Sequence, residues 1–178
     1  MRIISGRYRK KQIIPPSGFS ARPTTDIAKE AIFNVLANEF DLETCDILDL
    51  FSGTGNISFE FASRECKSVD AVELKFHHFQ FIKKTKEELQ FNQMQVYKAN
   101  VFSFVKRSTK NYDIIFADPP YNLYNLSSLP ELIFTHTILK KNGWFILEHD
   151  ENNSFQNHPN FLTMKNYGKV HFSLFDNK

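Results

Sequence analysis

Ile47-Leu48-Asp49-Leu50-Phe51-Ser52-Gly53-Thr54-Gly55 is the stretch that decides the fold. A short apolar run, which reads as a buried strand, enters a glycine-rich turn that opens a helix, and glycine lets backbone approach a ligand closely there. Dinucleotide sites want a third glycine three residues on; here Ser58 stands in that place. After one helix, the run Ser68-Val69-Asp70-Ala71-Val72 ends in Glu73. That puts an acidic residue at the end of the next parallel strand, about 20 residues beyond the glycines and suited to gripping ribose hydroxyls. Taken singly, Glu73 also reads as a surface charge and Asp49 as a helix-capping or turn residue.

Working outward, strands are expected near 46–51, 68–73, 94–98, 112–117 and 143–148, with helices near 55–64, 75–90, 101–108 and 127–139 between them. That alternation predicts an α/β fold with a parallel sheet covered on both faces. Ahead of it, Thr25 or Asp26 can cap a helix whose apolar positions Ile27, Ala31, Ile32, Val35 and Leu36 recur at helical spacing through about Phe40. At the other end, Phe161 to Tyr167 and Val170 to Phe175 are separated only by a tight turn at Gly168, so they must be antiparallel.

Asp118-Pro119-Pro120-Tyr121 ends the apolar run Ile114-Ile115-Phe116 with a carboxylate, a rigid turn and an aromatic ring. Two prolines lock φ and remove donors, leaving carbonyl acceptors at a strand's C-terminal edge. These parts suit capture of a flat base through an exocyclic amine, with Asp118 and the Pro119 carbonyl as acceptors and Tyr121 as a stacking face. An ordinary strand exit, with Tyr121 packing the loop onto the sheet, is the plainer reading of the same residues.

At 178 residues, 42% hydrophobic and 24% charged, the chain is expected to form one domain over 1–178, with 1–22 as a basic arm and linker and 23–178 as the core. Most of its 19 phenylalanines should be packing residues. Cys45 and Cys66 have neither disulfide-framework density nor metal-site spacing, which fits a reducing compartment. No apolar run of membrane-spanning length and no leader pattern is seen, so a cytoplasmic protein without membrane attachment is expected. His77-His78 and Glu148-His149-Asp150-Glu151 read as surface and strand-edge groups rather than metal ligands. Net charge is only +2, yet Arg2, Arg7, Arg9, Lys10, Lys11 and Arg22 fall in the first 22 residues with no acidic residue among them. Two short runs there, Arg2-Ile3-Ile4 and Lys11-Gln12-Ile13-Ile14, read as a hairpin or extended arm, with Pro15 to Pro23 as a linker. Such an arm can neutralise phosphates; a solvated charged edge is the alternative.

In this order and at these separations, the pieces resemble the class I S-adenosylmethionine methyltransferases that modify exocyclic amines. A Rossmann-like, mostly parallel seven-stranded sheet with one antiparallel strand is what that resemblance implies, and the terminal hairpin favours S-adenosylmethionine over NAD. Met1-Arg2-Ile3-Ile4-Ser5-Gly6, Arg22-Pro23-Thr24-Thr25-Asp26, Lys29-Glu30-Ala31-Ile32-Phe33-Asn34, Phe51-Ser52-Gly53-Thr54-Gly55, Ser63-Arg64 and Asp-Pro-Pro-Tyr narrow it further. Together they are similar to the ribosomal small-subunit methyltransferase D family, almost end to end. Where that family commonly has Arg-Gly-Ala, this chain has Arg64-Glu65-Cys66, and an asparagine often seen near Lys83-Lys84-Thr85 is absent.

The resemblance implies methylation of guanine N2 in 16S rRNA, with ribosomal RNA or the small-subunit particle as partner; a monomer is expected. It implies that Gly53 and Gly55 receive the methionine moiety while Asp49 organises the turn, that Glu73 holds the ribose and Asn100-Val101 the adenine, and that Phe51 and Leu74 also line the cofactor. Asn100 also reads as the cap of the following helix. Thr24 and Thr25 are placed over the cofactor or the base. Adenine-N6 methylation of DNA or RNA, and a non-catalytic RNA-binding assembly factor, remain open as alternatives.

Overall fold

All five residues of the strand entering the glycine turn are buried, the pattern of a strand covered on both faces. The structure, a computed structural model, describes residues 1–16, 18, 26–120 and 123–178. Arg22, Thr24, Thr25 and Tyr121 therefore lie outside the described residues. Among those described, helices and strands alternate as α1 (Asp26–Glu39), β1 (Asp46–Leu50), α2 (Asn56–Ser63), β2 (Ser68–Glu73), α3 (Phe76–Glu88), β3 (Met94–Lys98), α4 (Val101–Arg107), β4 (Tyr112–Ala117), α5 (Leu129–Thr135), β5 (Leu139–His149), β6 (Phe161–Tyr167) and β7 (Val170–Asp176).

The strands form one sheet in the order β3-β2-β1-β4-β5-β7-β6. Neighbours are parallel from β3 to β5, and β7 runs antiparallel to both β5 and β6. Alternation along each strand sorts side chains onto two faces. Ile47, Phe116 and Leu174 join a core with Ile32 of α1, Phe59 of α2 and Ile82 of α3. Leu48, Ile115 and Phe175 join the core made by Val105 of α4 and Ile133 of α5. Both cysteines are buried thiols, and burial pushes them up to about 11 for Cys45 and about 12 for Cys66.

Two boundaries differ from the expected ones. The helix expected over 127–139 is a short 3-10 turn at Leu126–Ser128 followed by α5, which stops at Thr135. Beyond it Thr137 sits at φ 49, in the left-handed region where a helix cannot continue. The strand expected from 143 begins at Leu139, because Leu139 pairs with Tyr112 before a bulge carries the register to Trp144 opposite Ile114. Lys140-Lys141-Asn142-Gly143 looks like a loop in sequence; tertiary pairing makes it a bulged strand.

The arm is stitched to the domain. Arg2 and Gln12 form an isolated antiparallel bridge, with Ile3 N–H donating to Lys11 O at 3.0 Å and Lys10 N–H to Ile3 O at 2.9 Å. Ile3 and Ile13 are buried against the core. Arg7 N–H donates to Ser63 O at 2.7 Å, Tyr8 N–H to Ser63 Oγ at 3.0 Å and the Tyr8 hydroxyl to Leu89 O at 2.8 Å. Gly6, at φ 80, lies so close to Ser63 that a Cβ would collide with its carbonyl.

Glu65 stands at φ 60 just after α2, the left-handed position that ends many helices and favours glycine. This is where the resembling family commonly has glycine. Glu65→Gly should raise stability by roughly 1 kcal/mol by removing that strain. Urea denaturation would read this as a higher midpoint at unchanged slope; a lowered midpoint would mean that the Glu65 side chain contributes more than its backbone costs.

Candidate functional site

The site forms where β1 ends. Phe51 (φ 60), Gly53 (φ 55) and Gly55 (φ 81) all turn through the left-handed region, and Gly55 N–H closes the turn onto Ser52 O at 2.7 Å. A Cβ on Gly55 would come within 2.7 Å of the Phe59 ring, so the start of α2 packs where a side chain would otherwise stand. The turn is also tied sideways, since Ser52 N–H donates to Val72 O at 3.0 Å.

Glu73 finishes β2 and holds the turn directly. Its Oε2 accepts Gly53 N–H at 2.8 Å and its Oε1 accepts Lys75 N–H at 2.7 Å. Each oxygen has a second lone pair, so a carboxylate anchored by two amides can still receive hydroxyls. Leu74 follows as an exposed apolar residue, and Val101 is buried. Asn100 uses its Oδ1 to accept Ser103 N–H at 3.2 Å, the capping role that was open for it.

Asp49 is fully enclosed, and its carboxylate accepts the Ser58 hydroxyl. This gives Ser58 a role that the missing third glycine did not reveal. Burial pushes the Asp49 carboxyl up to about 7 against the pull of the Ser58 and Ser52 bonds, with the Glu73 charge adding to the rise.

Asp118 leaves β4 beside this turn, its N–H reaching Leu50 O at 3.4 Å. The register pairs Leu50 with Ala117 and Ala117 with Leu147, which puts Asp118 one step past β4 and level with Glu148 of β5. Burial raises the Asp118 carboxyl well above the usual range, and the charges of Glu148 and then Asp49 raise it further. Pro119 is buried and Pro120 exposed, with Pro120 O accepting Leu123 N–H at 2.8 Å. Glu148, 3% exposed, stood out in sequence only as part of a string of acids and a histidine; a lone acid at a strand end gives no signal of its neighbours. Strand ends thus bring Asp49, Glu73, Asp118 and Glu148 to one edge of the sheet.

The cationic arm lies elsewhere. Its tip rests on Ser63 at the C-terminal end of α2, while the glycine turn is at the N-terminal end. Eight helical residues separate them, about 12 Å at 1.5 Å per residue. Arg9, Lys10 and Lys11 are exposed there, whereas Arg2 pairs with Asp26 at 3.1 Å nearer the turn. Among the described residues no His, Cys, Asp and Glu group is arranged to hold a metal, and no helix is long and apolar enough to cross a membrane.

Comparison with known proteins adds a family. The model of the family described as Conserved hypothetical protein 95 matches residues 1–176. The chain is 32% identical to the ribosomal RNA small subunit methyltransferase D of Buchnera aphidicola subsp. Baizongia pistaciae, covering 99% of this chain and 92% of that protein. It is 31% identical to the Escherichia coli K12 protein of the same name, over 81% of this chain and 69% of that one. Among solved structures, "Putative methyltransferase yhhF from Escherichia coli" superposes with a TM-score of 0.88 at 25% identity, covering 100% of this chain and 98% of that one.

The raised Asp49 carboxyl makes stability depend on pH. Between the ordinary carboxylate range and about 7 the folded chain keeps a proton on Asp49 that the unfolded chain has lost, so the contribution of Asp49 to stability falls as pH rises through that window and is level outside it. Asp49→Asn, which cannot titrate, should remove most of this fall, roughly a few kcal/mol. Denaturation of both forms at pH 5 and pH 8 checks it; equal pH dependence would mean that Asp49 is ionised in the fold.

Proposed function

We propose, given that this chain belongs to the Conserved hypothetical protein 95 family, that it transfers a methyl group from S-adenosylmethionine to the exocyclic N2 amine of a guanine in small-subunit ribosomal RNA. The observation that carries this reading is the meeting of Asp118, a carboxylate raised by burial and by Glu148, with a glycine turn braced by Glu73. The residues fit the cofactor: the turn through Gly53 and Gly55 brings bare backbone to the end of β1, and Glu73, held by two amides, keeps lone pairs for ribose hydroxyls. Gly53, Gly55, Asp49 and Phe51 would hold the methionine end, Glu73 and Leu74 the ribose side, and Val101 the adenine, with Asn100 also capping α4. S-adenosylmethionine supplies the electrophilic methyl group when bound.

The chain's own residues supply positioning and proton acceptance. A guanine N2 lone pair is delocalised into the ring, so acceptors on both N–H bonds favour the pyramidal nitrogen that attacks. Asp118 and the Pro119 carbonyl are assigned that role. As nitrogen becomes cationic it must lose a proton, and a carboxylate whose affinity for protons is raised is a better acceptor. Tyr121 provides a ring for the extruded base, an interaction worth about 1–3 kcal/mol.

Asp118→Ala should lower methyl transfer to small-subunit particles on the order of 10²–10³-fold, as removal of a preorganised polar group does, while S-adenosylmethionine binding changes by no more than a few-fold. Nucleoside mass spectrometry of the wild-type product names the base. N6-methyladenosine in place of N2-methylguanosine would reassign the acceptor, and near wild-type turnover in the variant would remove Asp118 from the reaction.

Arg2, Arg7, Arg9, Lys10, Lys11 and Arg22 are assigned to phosphate binding, the exposed tip reaching RNA away from the reacting base. Neutralising Arg7, Arg9, Lys10 and Lys11 together should weaken binding to an rRNA fragment and flatten its salt dependence, by roughly 0.7 in log–log slope for each single-strand phosphate that the variant no longer neutralises. Equal slopes for variant and wild type would make the arm a solvated edge.

A further inference from the structure

Lys29, on α1, is fully buried, an unusual location for an ammonium group. It donates to the Arg2 carbonyl at 2.6 Å and to Asn56 Oδ1 at 2.9 Å, and lies 3.4 Å from Glu60 Oε2. Arg2 belongs to the hairpin, while Asn56 is the first residue of α2, immediately after Gly55. Glu60, equally buried, accepts Ile4 N–H at 2.7 Å, Ser5 N–H at 3.0 Å and Arg64 Nε at 2.9 Å. The hairpin also meets the turn itself, because the Thr54 hydroxyl donates to Met1 Sδ at 3.5 Å.

A leucine or methionine at 29 would fill the same space without the desolvation cost of a charge, so packing alone gives no reason for lysine there. What an ammonium adds is three directed donors, used here to tie one hairpin carbonyl to one amide side chain at the head of α2. From this geometry we infer that Lys29 is a positioning residue for the cofactor: acting through Asn56, it fixes the glycine turn against the hairpin, which makes residues 1–13 part of the cofactor site. This rests on the proposed location of S-adenosylmethionine at the turn.

The test is S-adenosylhomocysteine binding by calorimetry, with donor kinetics and hydrogen exchange, in Asn56→Ala and Lys29→Met. Asn56→Ala leaves the Lys29–Glu60 pair and the bond to the Arg2 carbonyl intact, so it reports even if Lys29→Met fails to fold. Both variants should bind the probe at least tenfold more weakly and raise KM for the donor more than they lower kcat. Exchange should quicken at Gly53 to Ser58 and stay unchanged in β4 and β5. Gly53→Val separates two kinds of failure. If it abolishes probe binding while Asn56→Ala binds within two-fold of wild type with the turn still protected, the buried pair is only a brace and the inference is overturned. If Gly53→Val itself binds normally, the cofactor is not at this turn and the location beneath the inference falls with it.

Discussion

Strand β1 has its successor β2 on one side and β4 on the other. Crossovers between parallel strands are right-handed, so the chain leaves β1 toward one face of the sheet and returns to β4 from the opposite face. The loops after β1 and β4 must therefore diverge, and they open a crevice at the strands' carboxyl ends. Every acid of the candidate site stands on that edge: Asp49 and Glu73 on β1 and β2, Asp118 and Glu148 at the ends of β4 and β5. Their crowding follows from the topology, and so does its electrostatic result. Asp49 and Asp118 each gain proton affinity from burial first and from a neighbouring carboxylate second.

The same crowding explains why the surrounding hydrogen bonds matter. Glu73 accepts two backbone amides, which fix its carboxylate and shape the turn it faces. Asp49 has bonds from Ser58 and Ser52, which do not offset its complete burial, and it stays proton-hungry. Lower in the sheet Asp46 meets the opposite fate: burial pushes its carboxyl up, but Lys140, Ser68 and Lys67 outweigh burial and hold it well below the ordinary range. Asp49 and Asp118 at the carboxyl end hold protons more tightly, and Asp46 at the amino end is locked as an ion.

Much of the fold was legible because it is written in local pattern. Buried runs such as Ile47 to Leu50 and Ile114 to Ala117 are too apolar to be half-exposed, and the short gap at Gly168 forces an antiparallel pair. The two glycines, Glu73 and Asp118 fell at the ends of predicted strands, and they stand together at one edge. What sequence did not show depends on partners far along the chain. The Lys29–Glu60 pair joins residues 31 positions apart with no periodicity to announce it. Lys140 to Gly143 becomes a bulged strand only because β4 and Asn177 receive it. Ser58 looked like a departure from a glycine pattern until Asp49 was seen opposite its hydroxyl.

The hairpin's attachment also sets an order of assembly. Residues 1–13 are made before their partners Glu60, Ser63 and Leu89, which follow tens of residues later. Until α2 exists, the Ile4 and Ser5 amides lack the Glu60 carboxylate and Lys29 lacks its buried partner. This segment is thus fixed late, after the loop-closure entropy of excursions of 55 to 81 residues has been overcome. Until then its arginines and lysines lack the fixed positions that these bonds give them, beside a machine built of the same polyanion that the finished protein is proposed to bind.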